Sequence, residues 1–282
     1  ELGGGRQNEY TQAGCEILGI NSPEADAEAV AIAIKQVRAS GIEEFQIDIG
    51  QVEFFKGIME QTGLEPHEIE EVRELIDLKD YVGVEQLMDG HQVPSDIKRL
   101  VLDLPRLFGS KDILQGINRK NIGERARKAL DNLQTVLEIL EDRGLSGFVS
   151  VDLGMLQSLN YYTGLVFRGY TYGVGFPILS GGRYDDLVSK FGKQIAATGF
   201  SMGINMLMMA LERQKLEDSK PMTGCLVTYE AGARKEAGAL CENLIMRGLT
   251  AELDLTMAGN EVCETYARLK GLNKVMHVKC DG

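Results

Sequence analysis

The sequence predicts an α+β fold: a sheet core with a helical insertion, followed by a small C-terminal α/β domain. Three observations predict it. Strand-like alternation opens the chain and returns near Phe148, helical periodicity fills about 64–145 between them, and a strand–helix–strand–helix–strand pattern closes it. The expected layout is a core over 1–213, a polar, proline-containing linker over 214–223 and a small α/β domain over 224–282.

Each element follows from local chemistry. Residues 5–19 alternate as a strand does, and Ser22 with Pro23 then supplies a cap and a first helical turn. Asp26 and Glu28 suit the positive end of that helix, Ala27, Val30, Ile34 and Val37 form its apolar stripe, and Gly41 ends it. Phe45, Ile47 and Ile49 alternate as a second strand, with a short helix from Val52 to Met59. Further helices start at Pro66 and at Pro94-Ser95, with breaks at Gly109 and Gly116. The firmest helix carries Ala126, Leu130, Leu133, Leu137 and Leu140 at helical spacing, and Gly144 stops it. Strands resume over 148–153 and continue to about Ser180, and 192–212 reads as a buried run. The last domain reads as strands at 225–229, 251–255 and 275–279 around helices at 235–247 and 262–270.

Bulk composition narrows the function. With 44% hydrophobic and 26% charged residues, the 282-residue chain has a globular makeup. No run of about 18 apolar residues occurs, so no membrane partner is expected. The sequence opens at Glu1 with no leader-like pattern, and no targeting segment is expected. A net charge of -12 argues against a nucleic-acid partner, because phosphate recognition needs a basic footprint. Cys15, Cys225, Cys241, Cys263 and Cys280 are scattered outside CxxC spacing, as reduced thiols of a cytoplasmic protein would be. His67, His91 and His277 lack ligand spacing, so neither a metal nor another cofactor is expected.

Three segments carry candidate chemistry. Gln12, Gly14 and Glu16 stand two apart, so a strand puts a carboxamide and a carboxylate on one face around a bare glycine. Such a face could suit a small cationic ligand, but the spacing alone favours the exposed side of an edge strand. The run Asn160-Tyr161-Tyr162-Thr163-Gly164 is either strand packing or a pair of phenols awaiting polar partners. In Ser180-Gly181-Gly182-Arg183-Tyr184-Asp185, the paired glycines permit a tight turn or a close approach to a ligand.

Taken in order, these segments resemble the histidyl branch of the class II aminoacyl-tRNA synthetases. GRQNEYTQAGCEILG followed by SPEADAEA is similar to the second class-defining motif, NYYTGLVF to the histidine-specific motif, and GGRYDDLV with GFSMGINML to the approach to the third. The resemblance covers nearly the whole chain and implies a class II synthetase-like antiparallel sheet. It also implies roles: Gln12 for the α-amino group of histidine, Glu16 and Tyr162 for the imidazole, Tyr184 closing the pocket and Tyr161 on its wall. Arg6 matches an arginine of the mobile motif-2 loop.

The departures matter as much. Where synthetases read Leu-Val-Arg-Gly-Leu-Asp-Tyr-Tyr, this chain has Met-Leu-Gln-Ser-Leu-Asn-Tyr-Tyr, so Gln157 replaces the carboxylate-binding arginine, and Met206 stands at the ATP-clamping one. Each lost charged stabiliser costs roughly 3–4 kcal/mol of transition-state energy, which argues against adenylation. Within the family the chain looks most like the regulatory subunits of ATP phosphoribosyltransferase. That implies a non-catalytic homodimer within a hetero-oligomer, partnered by the short-form catalytic subunit, with histidine as feedback ligand. An active histidyl-tRNA synthetase and a stand-alone paralogue are the alternatives. The resemblance begins inside the second motif, so residues ahead of Glu1 are expected to supply the first.

Overall fold

A computed structural model describes residues 11–156, 161–189, 192–214, 224–256 and 259–280. The chain divides into two compact units, Glu1–Leu216 and Glu217–Gly282, which are taken separately.

The first unit is built on a sheet with order β1-β7-β6-β5-β2-β4-β3. Its strands are β1 (Gln12–Leu18), β2 (Phe45–Gln51), β3 (Phe108–Gly109), β4 (Val149–Asp152), β5 (Leu165–Thr171), β6 (Leu179–Arg183) and β7 (Ala197–Gly203). Neighbours are antiparallel except β2 and β4. The helices are α1 (Pro23–Ala39), α2 (Val52–Met59), α3 (Pro66–Asp77), α4 (Tyr81–Gly90), α5 (Ser95–Asp103), α6 (Glu124–Asp142), α7 (Asp185–Ser189) and α8 (Ile204–Arg213). This is the α+β architecture expected.

One face of the sheet is packed against helices, and along the β1 edge the other face is exposed. Ser22 caps α1 by accepting from the Ala25 amide at 3.3 Å, with Pro23 in the first turn. The α1 stripe Ala27, Val30, Ile34 and Val37 is fully buried, and α1 packs on β1, β6, β7 and α6. The α6 stripe Ala126, Leu130, Leu133, Leu137 and Leu140 is buried with it, and α6 also covers α2 and β2. Ala13, Cys15 and Ile17 turn from β1 into this core, which leaves Gln12, Gly14 and Glu16 on the opposite, exposed face.

Two details differ from the sequence expectation. The region read as helical throughout contains β3, whose Phe108 and Gly109 pair with Asp152 and Val151 and extend the sheet. A further helix, α4, begins after Asp80, whose carboxylate caps the Gly83 amide at 2.9 Å.

The second unit is a parallel sheet of order β10-β8-β9, formed by β8 (Gly224–Tyr229), β9 (Thr250–Leu253) and β10 (Lys274–Val278), with α9 (Arg234–Met246) and α10 (Asn260–Leu269). Cys225 and Val227 pack with Ala237 and Cys241 of α9, while Leu226 packs with Cys263 and Ala267 of α10. The expected linker lies outside the described residues apart from Gln214.

Candidate functional site

Sheet register assembles the site. Glu16 of β1 stands opposite Gly199 of β7, Gly199 opposite Gly182 of β6, and Gly182 opposite Val166 of β5. Directly opposed residues share a face, so Glu16 and two glycines form one row across three strands. These glycines are required by space. A Cβ on Gly199 would strike the Glu16 carboxylate and the Cys15 carbonyl. One on Gly182 would strike the Leu165 carbonyl and lie 2.9 Å from the Tyr162 ring, and Gly182 also holds a φ of 155°. The result is a floor of bare backbone, with Glu16 over one glycine and Tyr162 over the next.

The neighbouring row is polar. Gly14 pairs with Ser201 and Ser201 with Ser180, and the Ser201 hydroxyl donates to Gln12 Oε1 at 2.6 Å. Gln12 itself opposes Gly203, against which the Met206 side chain lies. A thioether therefore borders the Gln12 end of the face, where the resemblance implies an ATP-binding arginine.

Tyrosines close the other end. The Tyr184 hydroxyl donates to Glu16 Oε2. Tyr184 is buried, and Tyr161, which is 43% exposed, stacks on it with ring centres 5.5 Å apart. Tyr162 meets Tyr161 edge-on at 4.8 Å. Burial, reinforced by Glu16, pushes the Tyr184 phenol well above its ordinary value, and burial likewise raises Tyr162 and Tyr161. All three phenols are therefore neutral donors at physiological pH.

The segment carrying Tyr161 and Tyr162 is held on every side. Lys56 of α2 donates to the Tyr162 carbonyl at 3.4 Å, the Thr163 amide donates to the Arg183 carbonyl at 2.7 Å, and the Val52 amide donates to the Gly164 carbonyl at 3.1 Å. Gln12, Glu16, Tyr161, Tyr162 and Tyr184 thus gather on one face of the sheet, with Gln12 bonded to Ser201 and the tyrosines grouped toward Glu16. Arg6, Gln157 and Asn160 lie outside the described residues. Ser201 and Gly199 complete the face and were not singled out by the motif reading. Their signal was the alternation inside GFSMG, which sets Gly199 and Ser201 on the side of Glu16.

Cavities lie elsewhere, two of them larger than the rest described. One of about 510 Å³ is bordered by Lys111, Arg119, Lys120 and Glu138, where Lys111 and Arg119 pair with Glu141 and Asp131. Another of about 490 Å³ lies in the second unit beside Glu252, Asp254 and Tyr266. Neither touches the Glu16 face. Among the described residues no cluster of metal-ligating side chains occurs, and no helix is long and apolar enough to cross a membrane.

Comparison with known proteins places these observations in a family. The histidyl-tRNA synthetase family model matches residues 2–207. The ATP phosphoribosyltransferase regulatory subunit of Acetivibrio thermocellus is 58% identical over 281 residues, covering 100% of this chain and 67% of that protein. The chain belongs to the histidyl-tRNA synthetase-like ATP phosphoribosyltransferase regulatory subunits. A solved relative in this family, a regulatory subunit/histidyl-tRNA synthetase from Bacillus halodurans, superposes with a TM-score of 0.71 at 27% identity, covering 97% of this chain and 69% of its own. A chain of the ATP phosphoribosyl transferase (HisG:HisZ) complex from Thermotoga maritima has the same fold, with a TM-score of 0.56, 19% identity, and coverage of 69% and 66%. The chain spans about two thirds of the length of each of these relatives.

Proposed function

We propose that this chain is a regulatory subunit with no catalytic activity of its own. In this reading it binds histidine on the Glu16 face, activates the short-form catalytic subunit of ATP phosphoribosyltransferase, and transmits feedback inhibition by histidine in histidine biosynthesis. It works in the cytoplasm as a homodimer within a hetero-oligomer, without nucleic acid or membrane.

The observation that carries this reading is the glycine floor flanked by Glu16 and Tyr162. A flat ring fits over backbone that lacks side chains, an acceptor stands at one edge, and neutral phenols stand at the other. Tyr184 fixes one carboxylate oxygen of Glu16, which leaves the second for an imidazole N–H. Gln12, already ordered by Ser201, supplies carboxamide contacts for the α-amino group.

Loss of chemistry rests on two positions. Gln157 and Met206 stand where a synthetase uses arginines, and a thioether cannot donate to a developing phosphate charge. An active histidyl-tRNA synthetase is disfavoured on that ground. Histidine can act as an inhibitor only by binding the inhibited assembly more tightly than the active one, and the ratio of the two affinities sets the size of the effect.

Co-expression with the short catalytic subunit tests the reading. Phosphoribosyl transfer should require this chain and fall on adding histidine. Glu16→Ala should abolish the histidine response while transfer persists. Unchanged inhibition in that variant places the regulatory pocket elsewhere.

A further inference from the structure

The GGRYDD motif contributes more than Tyr184. Arg183 comes just before it, and strand alternation turns Arg183 to the opposite, helix-covered face, where it is 5% exposed. Each of its three side-chain nitrogens donates a hydrogen bond, and an ion pair to Asp26 adds to them. Nε donates to Asp26 Oδ2 at 3.1 Å and Nη2 lies 2.9 Å from Asp26 Oδ1. Nη1 donates to Asp185 Oδ1 at 3.2 Å and to the Ile20 carbonyl at 3.3 Å, and Nη2 donates to the Ser22 carbonyl at 3.3 Å. A buried charge is tolerable when it is paired and hydrogen-bonded, and the planar fork of arginine can meet several acceptors at once.

The partners are the backs of the pocket segments. Ile20 and Ser22 lie in the turn from β1, which carries Glu16, into α1, and Asp26 lies in the first turn of α1. Asp185 follows Tyr184; its amide donates to Thr163 Oγ1 at 2.9 Å, and its carboxylate accepts from the Ala197 amide of β7 at 2.8 Å. Thr163 follows Tyr162, and Gly164 leaves space for the arginine stem, which would lie 3.0 Å from a Cβ there. Glu16, Tyr162 and Tyr184 thus come from three segments far apart in sequence, and each segment is bonded to the Arg183 network within a few residues of its pocket side chain. Burial outweighs the pull of Arg183 and holds the Asp26 carboxyl above its ordinary value, as in an enclosed acid.

We propose that Arg183 is a positioning residue of the pocket: acting from the far side of the sheet, with Asp26 and Asp185, it sets Tyr162 and Tyr184 at their working distance from Glu16. This rests on the histidine-pocket reading for its ligand, but the geometry it governs can be measured without one.

The test uses the full-length protein, wild type, Arg183→Lys and Asp185→Asn. Asp185 is only half-buried, so its variant keeps the fold if the lysine variant does not. The first readout is the ultraviolet titration of tyrosine. The expected result is that the high-titrating Tyr184 phenol moves back toward ordinary tyrosine as its bond to Glu16 loosens. The second is calorimetric titration with L-histidine, where the dissociation constant of the folded variants should rise about tenfold, the equivalent of one misplaced hydrogen bond. Folded variants with wild-type phenol titration and wild-type affinity overturn the proposal, since a residue that only stabilised the fold would give that result. A wild-type protein that binds no histidine sinks the histidine reading instead, and the phenol titration then judges Arg183 alone.

Discussion

Tyr184 links burial and charge in one side chain. It is buried, its hydroxyl is committed to Glu16 and its ring stacks on Tyr161, so its folded-state value is raised above the unfolded one. For such a group the stabilisation is complete below the ordinary tyrosine value of about 10 and is lost only as pH rises through the folded value. Phenolate absorbance should therefore show a late-titrating group of tyrosines, smaller by one phenol in Tyr184→Phe. An undiminished late group in that variant would assign it to other residues. Losing the hydroxyl should cost about 1 kcal/mol of stability, because the remaining Glu16 carboxylate is still open to water. A denaturant midpoint with unchanged slope measures it. Gln12, Glu16 and the tyrosine pair were legible in the sequence because strand alternation and motif order expose them. The support beneath them was not, because Asp26 and Arg183 are 157 positions apart and meet only through the fold.

Helices and strands explain which side of the sheet stays free. The apolar stripe of α6 is deep in the core, so Leu133→Ala should destabilise by about 2–5 kcal/mol, read as a lowered thermal midpoint. A cavity of that kind lies on the helix-covered face, and histidine affinity of the folded protein should stay within twofold, about 0.4 kcal/mol. Gly199→Ala should behave differently: the added methyl meets the Glu16 carboxylate and the Cys15 carbonyl, so ligand binding falls along with about 1–3 kcal/mol of stability. Histidine binding retained in that variant would move the ligand off the floor. Periodicity and capping revealed α1 and α6 because Ser22 and Gly144 announce their ends. Two elements stayed hidden for physical reasons. The α3–α4 break is made by Lys79, which takes a φ of 60° where no glycine or proline signals a turn. The β3 strand is two residues long, too short for any alternation to show.

The whole first unit gains its site from strand order. β1 reaches the glycines of β6 only across β7, which arrives near the end of the unit, and no local pattern in the sequence encodes that neighbourhood. Motif order supplied what periodicity could not. At this scale the decisive prediction is negative: the full-length protein should show no histidine-dependent exchange between ATP and pyrophosphate, measured with labelled pyrophosphate, and detectable exchange would restore the synthetase reading. The glycine floor has a one-way consequence for such a molecule. No residue is smaller than glycine, so every single substitution at Gly182 or Gly199 makes the space above the sheet shallower, and none can deepen it. Drift at these positions can only exclude ligands. Any relative that accepts a bulkier ring must have gained its room from the walls, by trimming Tyr161, Tyr162 or Tyr184, and not from the floor.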